Sequence, residues 1–223
     1  MARSFDGVND FMAISSSTVD ITSDFTIALW NDKNEKAGND NDRFCSFNDD
    51  ANNNFQFITD NNTVKYGIEL LVAGAFKAEN LIYSTYIVDV WTHIAVTVAG
   101  NTVKFYVNGV ETSSTGTAAI APSGTNNYRI GVRSDLNSTT FFDGELAEFA
   151  IWSVALTDNE IAALSRGINP NQIRNDVLRQ HLPIYGNDSP EVDLSGNNFD
   201  ATLTSAPPKA ASNPPVKLLE DYL

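Results

Sequence analysis

The chain has 223 residues, 42% of them hydrophobic and 10% aromatic, so one large β-domain or two small domains with a real core are open to it. Its 28 acidic side chains outnumber 14 basic ones for a net charge of −14. That balance opposes nucleic acid and anionic membranes, whose binding rests on Lys and Arg, and no apolar run reaches the length of a membrane span. The opening stretch MARSFDGVNDFMAI lacks the apolar centre of a signal peptide, so the glycosylation patterns at Asn61, Asn137 and Asn187 carry little weight. Cys45 is the only cysteine, which excludes an intrachain disulfide, and its place between Phe44 and Phe47 suits a small buried filler.

Alternation of apolar and polar residues predicts strands at 10–15, 24–30, 43–48, 54–59 and 64–70. The clearest signal is WTHIAVTV at 91–98 followed by VKFYVNGVE at 103–111. In the second run Val103, Phe105 and Val107 face one way, and Lys104, Tyr106 and Asn108 face the other. Asn108-Gly109 predicts a type I′ hairpin turn, because both residues tolerate positive φ. Strands at 128–133 and 144–152 complete the set, and no strand–helix–strand spacing interrupts it. The pattern is all-β, a two-sheet antiparallel sandwich. Thr157-Asp-Asn-Glu160 is a capping box that predicts one short helix over 157–166, with Ile161 and Leu164 on its apolar face and Gly167 ending it.

These stretches together resemble the laminin-G-like, concanavalin A-like jelly roll in its bacterial and phage form. The resemblance rests on Phe5-Asp6-Gly7, the Asp24–Trp30 run, the Trp91–Thr97 run, Tyr106-Val-Asn-Gly-Val110, the Phe142–Trp152 run and the Ala155–Ile161 run, in the family's order. It implies two curved antiparallel sheets packed face to face. In many family members a leucine-proline segment with Asp-x-Ser-Gly-Asn precedes the Phe-Asp-Gly element. Here its counterpart, from Leu178 through Leu182-Pro-Ile and Asp193-Leu-Ser-Gly-Asn197 to Leu203, follows the helix. The resemblance therefore implies a circularly permuted sandwich over 1–205, with 178–203 supplying the permuted first strands and an extended arm at 206–223. The alternative is a separate C-terminal appendage, although some 40 residues without their own core stand alone poorly.

Some concanavalin-like sandwiches hydrolyse glycosides, so Glu145 and Glu148 are candidate carboxylates. Three residues apart on a regular strand they fall on opposite faces, whereas a retaining pair sits about 5 Å apart across one substrate. The acidic triad of laminarinase-like relatives is missing, and two histidines, His93 and His181, make no His-rich metal site. No catalytic residue is expected. Family members often hold a structural calcium ion, but the aspartate that contributes in the final strand aligns with Ala147. Asp143, Glu148, Asp193 and Asp200 remain as oxygens near that edge, with turn and cap chemistry the plainer reading, and no cofactor or metal is expected. The acidic loop at 39–54 lacks EF-hand spacing and reads as solvated.

Three functions follow. The leading expectation is a non-enzymatic structural or interaction protein of a phage virion, a capsid decoration or fibre component. The alternative is a carbohydrate-binding, lectin-like adhesion module, with Tyr83, Tyr86 and Tyr128 as candidate aromatics; a hydrolase comes third. The virion expectation leans on the tail. Pro214 and Pro215 stiffen an arm held off the domain, and Leu219, Tyr222 and Leu223 share one helical face, joined by Val216 and Leu218. Such an arm docks on a neighbouring subunit or particle protein, giving a homo-oligomer or larger assembly, or else folds back on its own sandwich.

Overall fold

A computed structural model describes the backbone at residues 2–14, 19, 23–34, 41–50, 53–61, 63–72, 75–115, 127–185, 189–205 and 207–216. The strands in its first half are β1 (Arg3–Asp6), β2 (Phe11–Ile14), β3 (Phe25–Lys33), β4 (Arg43–Asp50), β5 (Asn53–Asp60), β6 (Lys65–Val72) and β7 (Ala75–Thr85). There follow β8 (Thr92–Ala99), β9 (Thr102–Val107), β10 (Val110–Thr115), β11 (Asn127–Ile130) and β12 (Asp143–Trp152). Helix α1 (Asp158–Leu164), β13 (Leu178–Leu182) and β14 (Ala201–Thr204) close the order. Two antiparallel sheets result. The first runs β1-β12-β3-β8-β9-β10 with β13 also on β12, and the second runs β14-β2-β11-β4-β5-β6-β7.

The sheets meet through aromatic side chains. Phe25 of β3 stands edge-on to Phe55 of β5, with ring centroids 5.4 Å apart, and Phe57 of β5 stands edge-on to Phe105 of β9 at 5.7 Å. Both contacts cross from one sheet to the other, and each such pair adds about 0.5–1.5 kcal/mol to the burial of its rings. Between the sheets also lies an ion pair, Lys33 Nζ to Asp42 Oδ2 at 2.9 Å, with neither side chain exposed. The Phe142 and Tyr86 rings stand 5.7 and 6.0 Å from that ammonium.

Strands β13 and β14 pair into the two sheets. β1 pairs with the first part of β12, Arg3 opposite Leu146 and Asp6 opposite Asp143. β13 pairs with its second part, Leu182 opposite Phe149 and Leu178 opposite Trp152. Both run antiparallel to β12 along the same edge, so β13 ends where β1 begins. Together they act as one strand broken between Leu182 and Arg3. β14 crosses to the second sheet, where Ala201 faces Ile14 and Thr204 faces Phe11.

The hairpin and helix follow their local signals. Asn108 and Gly109 adopt φ of 49° and 80°. The capping box closes with Glu160 N to Thr157 Oγ1 at 3.4 Å and Thr157 N to Glu160 Oε2 at 2.7 Å. Gly109 packs on that helix: a Cβ there would stand 2.9 Å from the Ala162 Cα. Strand β7 has no counterpart among the sequence expectations. Its register against β6 shifts at three points, which scrambles the alternation that would reveal a strand.

Charge ties β1 to the segment that follows β13. Arg3 NH2 contacts Glu191 Oε2 at 3.1 Å, Arg3 Nε reaches the same oxygen at 3.3 Å, and Arg3 NH1 donates to Pro207 O at 3.1 Å. The two residues are 1% and 4% exposed. Burial pushes the Glu191 carboxyl above its ordinary range, while the Tyr185 amide and the Arg3 guanidinium pull it back. Removing either charge leaves the other buried without this counter-charge. Arg3→Met or Glu191→Leu alone should therefore cost about 3–5 kcal/mol in urea unfolding, and the double substitution should recover most of that loss. Equal losses in single and double variants would show that the pair is not coupled.

Candidate functional site

The outer face of the first sheet is covered by the chain itself. Trp152, Ala28, Ala95 and Tyr106 point outward from β12, β3, β8 and β9 and pack under Ile161 and Leu164 of α1. Further along, Trp30 and Ala147 pack with Ala2 and Ala210, joined by the half-buried Trp91 and Val216. Residues 207–216 run over this face. Ser4 N donates to Pro208 O, Ala210 N donates to Ala2 O, and Trp91 Nε1 donates to Ser212 Oγ at 2.7 Å. Pro214 is buried. Pro214 thus lies against the domain, whereas Pro215 is exposed. Val216 sits on its own sandwich, because Trp30 and Trp91 offer it an apolar seat; Leu218, Leu219, Tyr222 and Leu223 lie outside the described residues.

The carboxylates of β12 also need correction. The ladder to β3 shifts between Ala147 and Ala150, and Glu148 takes φ of 51°. This bulge inserts one residue, so the alternation slips by one. Leu146, Phe149 and Ile151 remain in the core, while Glu148 lines a small outer-face cavity with Trp30, His93 and Trp152. Glu145 reaches the same face, accepting from Ser212 Oγ at 2.6 Å and Ala211 N at 3.2 Å. The two carboxylates thus share a face, contrary to the period-2 expectation. Each is held by a different segment: Glu148 Oε2 lies 2.7 Å from His181 Nε2, whose other ring nitrogen lies 2.7 Å from Asn171 Oδ1.

The oxygens considered for calcium are engaged by protein donors. Asp193 accepts from the amides of His181, Ser195 and Phe199 and from the Ser195 hydroxyl. Asp200 accepts from Asp193 N, and Asp143 accepts from Asn34 Nδ2. Among the described residues no three His, Cys, Asp or Glu side chains gather as a metal site. Two of the candidate tyrosines belong to the core. Tyr128 stacks on Phe47 at 4.1 Å with its hydroxyl on Gln180, and Tyr86 donates to Asn61. The Tyr83 side chain lies outside the described residues.

Among the described residues lie two further surfaces. An open groove of about 530 Å³ runs between β8, β9 and the start of α1, lined by Thr97, Thr102, Lys104, Tyr106, Thr157 and Asp158 among others. Its charges are engaged with one another: Lys104 Nζ contacts Glu111 at 2.8 Å and Asp158 at 3.3 Å, and the Tyr106 hydroxyl donates to Asp158 at 2.8 Å. These bonds, the Tyr106 hydroxyl first, hold the Asp158 carboxyl below its ordinary range.

The second surface is the outer face of the second sheet. Core residues Met12, Ile14, Tyr128, Ile130 and Ala201 alternate with outward-facing Phe11, Ala13, Arg129, Thr202 and Thr204. Register sets them in two adjacent rows: Thr204 opposite Phe11, and Thr202 opposite Ala13, which is opposite Arg129. The second row continues through Ser46, Gln56 and Glu69. Loop 133–140 covers that continuation, with Ser134 N donating to Ser46 Oγ, so the accessible part is a shelf from Thr202 to Arg129. The Arg129 guanidinium carbon stands 5.8 Å from the Phe11 ring centre, and its buried Nε has no hydrogen-bond partner. An unmade bond of this kind costs about 1–3 kcal/mol. The neighbouring arginines are committed: Arg43 to Gln56 Oε1 and Asn41 O, Arg133 to both oxygens of Asp135. Sequence reading missed this shelf, since Phe11, Arg129 and Thr202 lie on three strands far apart in the chain.

The family model of the concanavalin A-like lectin/glucanases superfamily matches residues 6–162. The chain belongs to that superfamily. The match stops within α1, so β13, β14 and the segment beyond are joined to the fold by the structure alone. No curated protein sequence matches the chain. Among solved structures it is similar to a proposed carbohydrate-binding protein from Bacteroides ovatus, with a TM-score of 0.67 and 16% identity over 93% of this chain. The chain spans 60% of that protein's length. It is also similar to domain 4 of AbnA, an extracellular arabinanase from Geobacillus stearothermophilus solved with arabinotriose (TM-score 0.57, 19% identity, 74% of this chain and 76% of that one). A third is the CBM40 module of a Ruminococcus gnavus sialidase bound to α2,3-sialyllactose (TM-score 0.56, 15% identity, 74% of this chain and 98% of that one).

His93 lies beneath the covered face, against Trp30 at 5.3 Å, and burial pushes its pKa down to about 3 from 6.5. The folded chain keeps it neutral while the unfolded chain protonates it near 6.5. Its contribution is therefore complete above that pH and is lost as the pH falls towards 3, at about 1.4 kcal/mol per unit. Denaturant titrations should show this slope in the wild type and a shallower one in His93→Phe; parallel slopes would remove His93 from the acid response.

Proposed function

We propose that the domain is a non-catalytic carbohydrate-binding module that takes saccharide on the shelf of the second sheet. The observation that carries this reading is the juxtaposition there of a half-exposed aromatic ring, Phe11, two threonine hydroxyls and a guanidinium. A sugar offers an apolar ring face and a rim of hydroxyls, and an aromatic platform flanked by hydrogen-bonding groups matches both. Membership of a lectin-containing superfamily supports it, as do neighbours solved with arabinotriose and sialyllactose. Non-catalytic action is supported by the engagement of Glu145 and Glu148, each bonded to a different part of the chain. A glycan array should show binding by the wild type, and Phe11→Ala should weaken it roughly tenfold with the fold retained. Undiminished binding by Phe11→Ala would move the site elsewhere.

A second reading, a component of a phage particle, draws on the apolar residues of the tail. Val216 is engaged by the sandwich, so that reading now rests on residues 217–223. Their deletion should lower the mass of the native assembly without changing the melting temperature; an unchanged native mass counts against it.

A further inference from the structure

The shelf has a chemical bias of its own. Around Arg129 the other cationic side chains are already matched: Arg133 grips Asp135 through two bonds, and Arg43 has Gln56, Asn41 and Glu69 around it. Arg129 carries the same permanent charge and the same fork of donors, yet its side chain donates no hydrogen bond among the described residues, and its Nε is buried without a partner. Its cross-strand neighbours are Ala13 and Ser46, both small. The residue is half-exposed and lies beside Phe11. Arg179 on β13 has a buried, unpartnered Nε as well, but Arg129 also has the Phe11 ring beside it, in a chain of net charge −14.

We propose that Arg129 receives the carboxylate of an acidic sugar, a uronic or sialic acid residue, while the Phe11 ring carries the apolar face of the same saccharide. The inference rests on the glycan-binding reading and names the ligand class of that site. The geometry suits it because a guanidinium fork and a carboxylate pair through two parallel bonds. A neutral saccharide leaves the Arg129 charge desolvated and unmatched, and so binds less well. The strongly negative remainder of the protein repels anions at long range, so the discrimination arises at short range, from one side chain.

Calorimetry with matched ligands tests this. Oligogalacturonate is compared with its methyl ester, and sialyllactose with lactose, which also separates uronic from sialic acid. At least one acidic ligand should bind roughly tenfold to hundredfold more tightly than its neutral partner. Arg129→Gln should abolish that preference while leaving the affinity for the neutral partner in place. Arg129→Lys should restore part of it, a point charge being a poorer match than a fork. Because Arg129 donates no structural bond, the variants should keep the wild-type fold, and circular dichroism checks this. Equal affinity for acidic and neutral partners, or an acidic preference that survives Arg129→Gln, overturns the inference and leaves the glycan-binding reading standing. Failure of all four saccharides and of a neutral glycan panel overturns both.

Discussion

The buried contact between Arg3 and Glu191 ties β1 to the segment that follows β13. Strands β1 and β13 each offer β12 only four or five residues of pairing, which is little to hold a sheet edge. The arginine sits on one half-strand, its carboxylate on the segment that follows the other. Through a third bond the same guanidinium holds the Pro207 carbonyl and starts residues 207–216 on their path across the first sheet. The elevated pKa of Glu191 shows that burial works against the charge even with Arg3 beside it. What the pair supplies is therefore position more than net stability, since burying two ions costs several kcal/mol that their attraction must offset.

That path decides which sheet face stays open. Once α1 and residues 207–216 occupy the outer face of the first sheet, its aromatic residues Trp30, Trp91 and Trp152 serve as packing surface. Glu145 anchors the covering segment at Ala211 and Ser212, and Glu148 is bonded to His181 of β13. The bulge at Glu148 matters here, because it turns a carboxylate from the face it would otherwise occupy towards His181, and its amide donates to Pro183 O. The second sheet keeps a polar shelf because small residues, Ala13 and Ser46, flank its arginine.

Much of the architecture was legible in the sequence, for reasons that are local. The hairpin at Asn108-Gly109, the capping box at Thr157 and the strands with clean alternation each encode their geometry within a few residues, and the order of motifs carried the family. The turn at Asp193-Leu-Ser-Gly-Asn197 was legible because its chemistry is fixed within five residues. The failures are non-local. A single inserted residue at Glu148 reverses a face assignment made from spacing. Tyr86 and Tyr128 look like exposed lectin aromatics until the opposite sheet is placed over them, and Val216 looks unpartnered until Trp30 and Trp91 are found beneath it. The shelf depends on β2, β11 and β14 becoming neighbours, which nothing within any one strand encodes.

The turn at 193–197 also has a bearing on how copies of this molecule tolerate one another. An unpaired strand edge is a template for a strand from another chain, and β13 would present one. Asp193 caps the His181 amide, while Ser195 and Asn197 bond the Arg179 carbonyl and Asn197 the Leu178 carbonyl. Side chains thereby occupy the groups that an intruding backbone would need. Beside β13, the edge of β1 is occupied by Pro208 and Lys209. An aggregate seeded from this edge would first have to pull away both coverings, so the turn at 193–197 serves as a guard against fibre-like stacking.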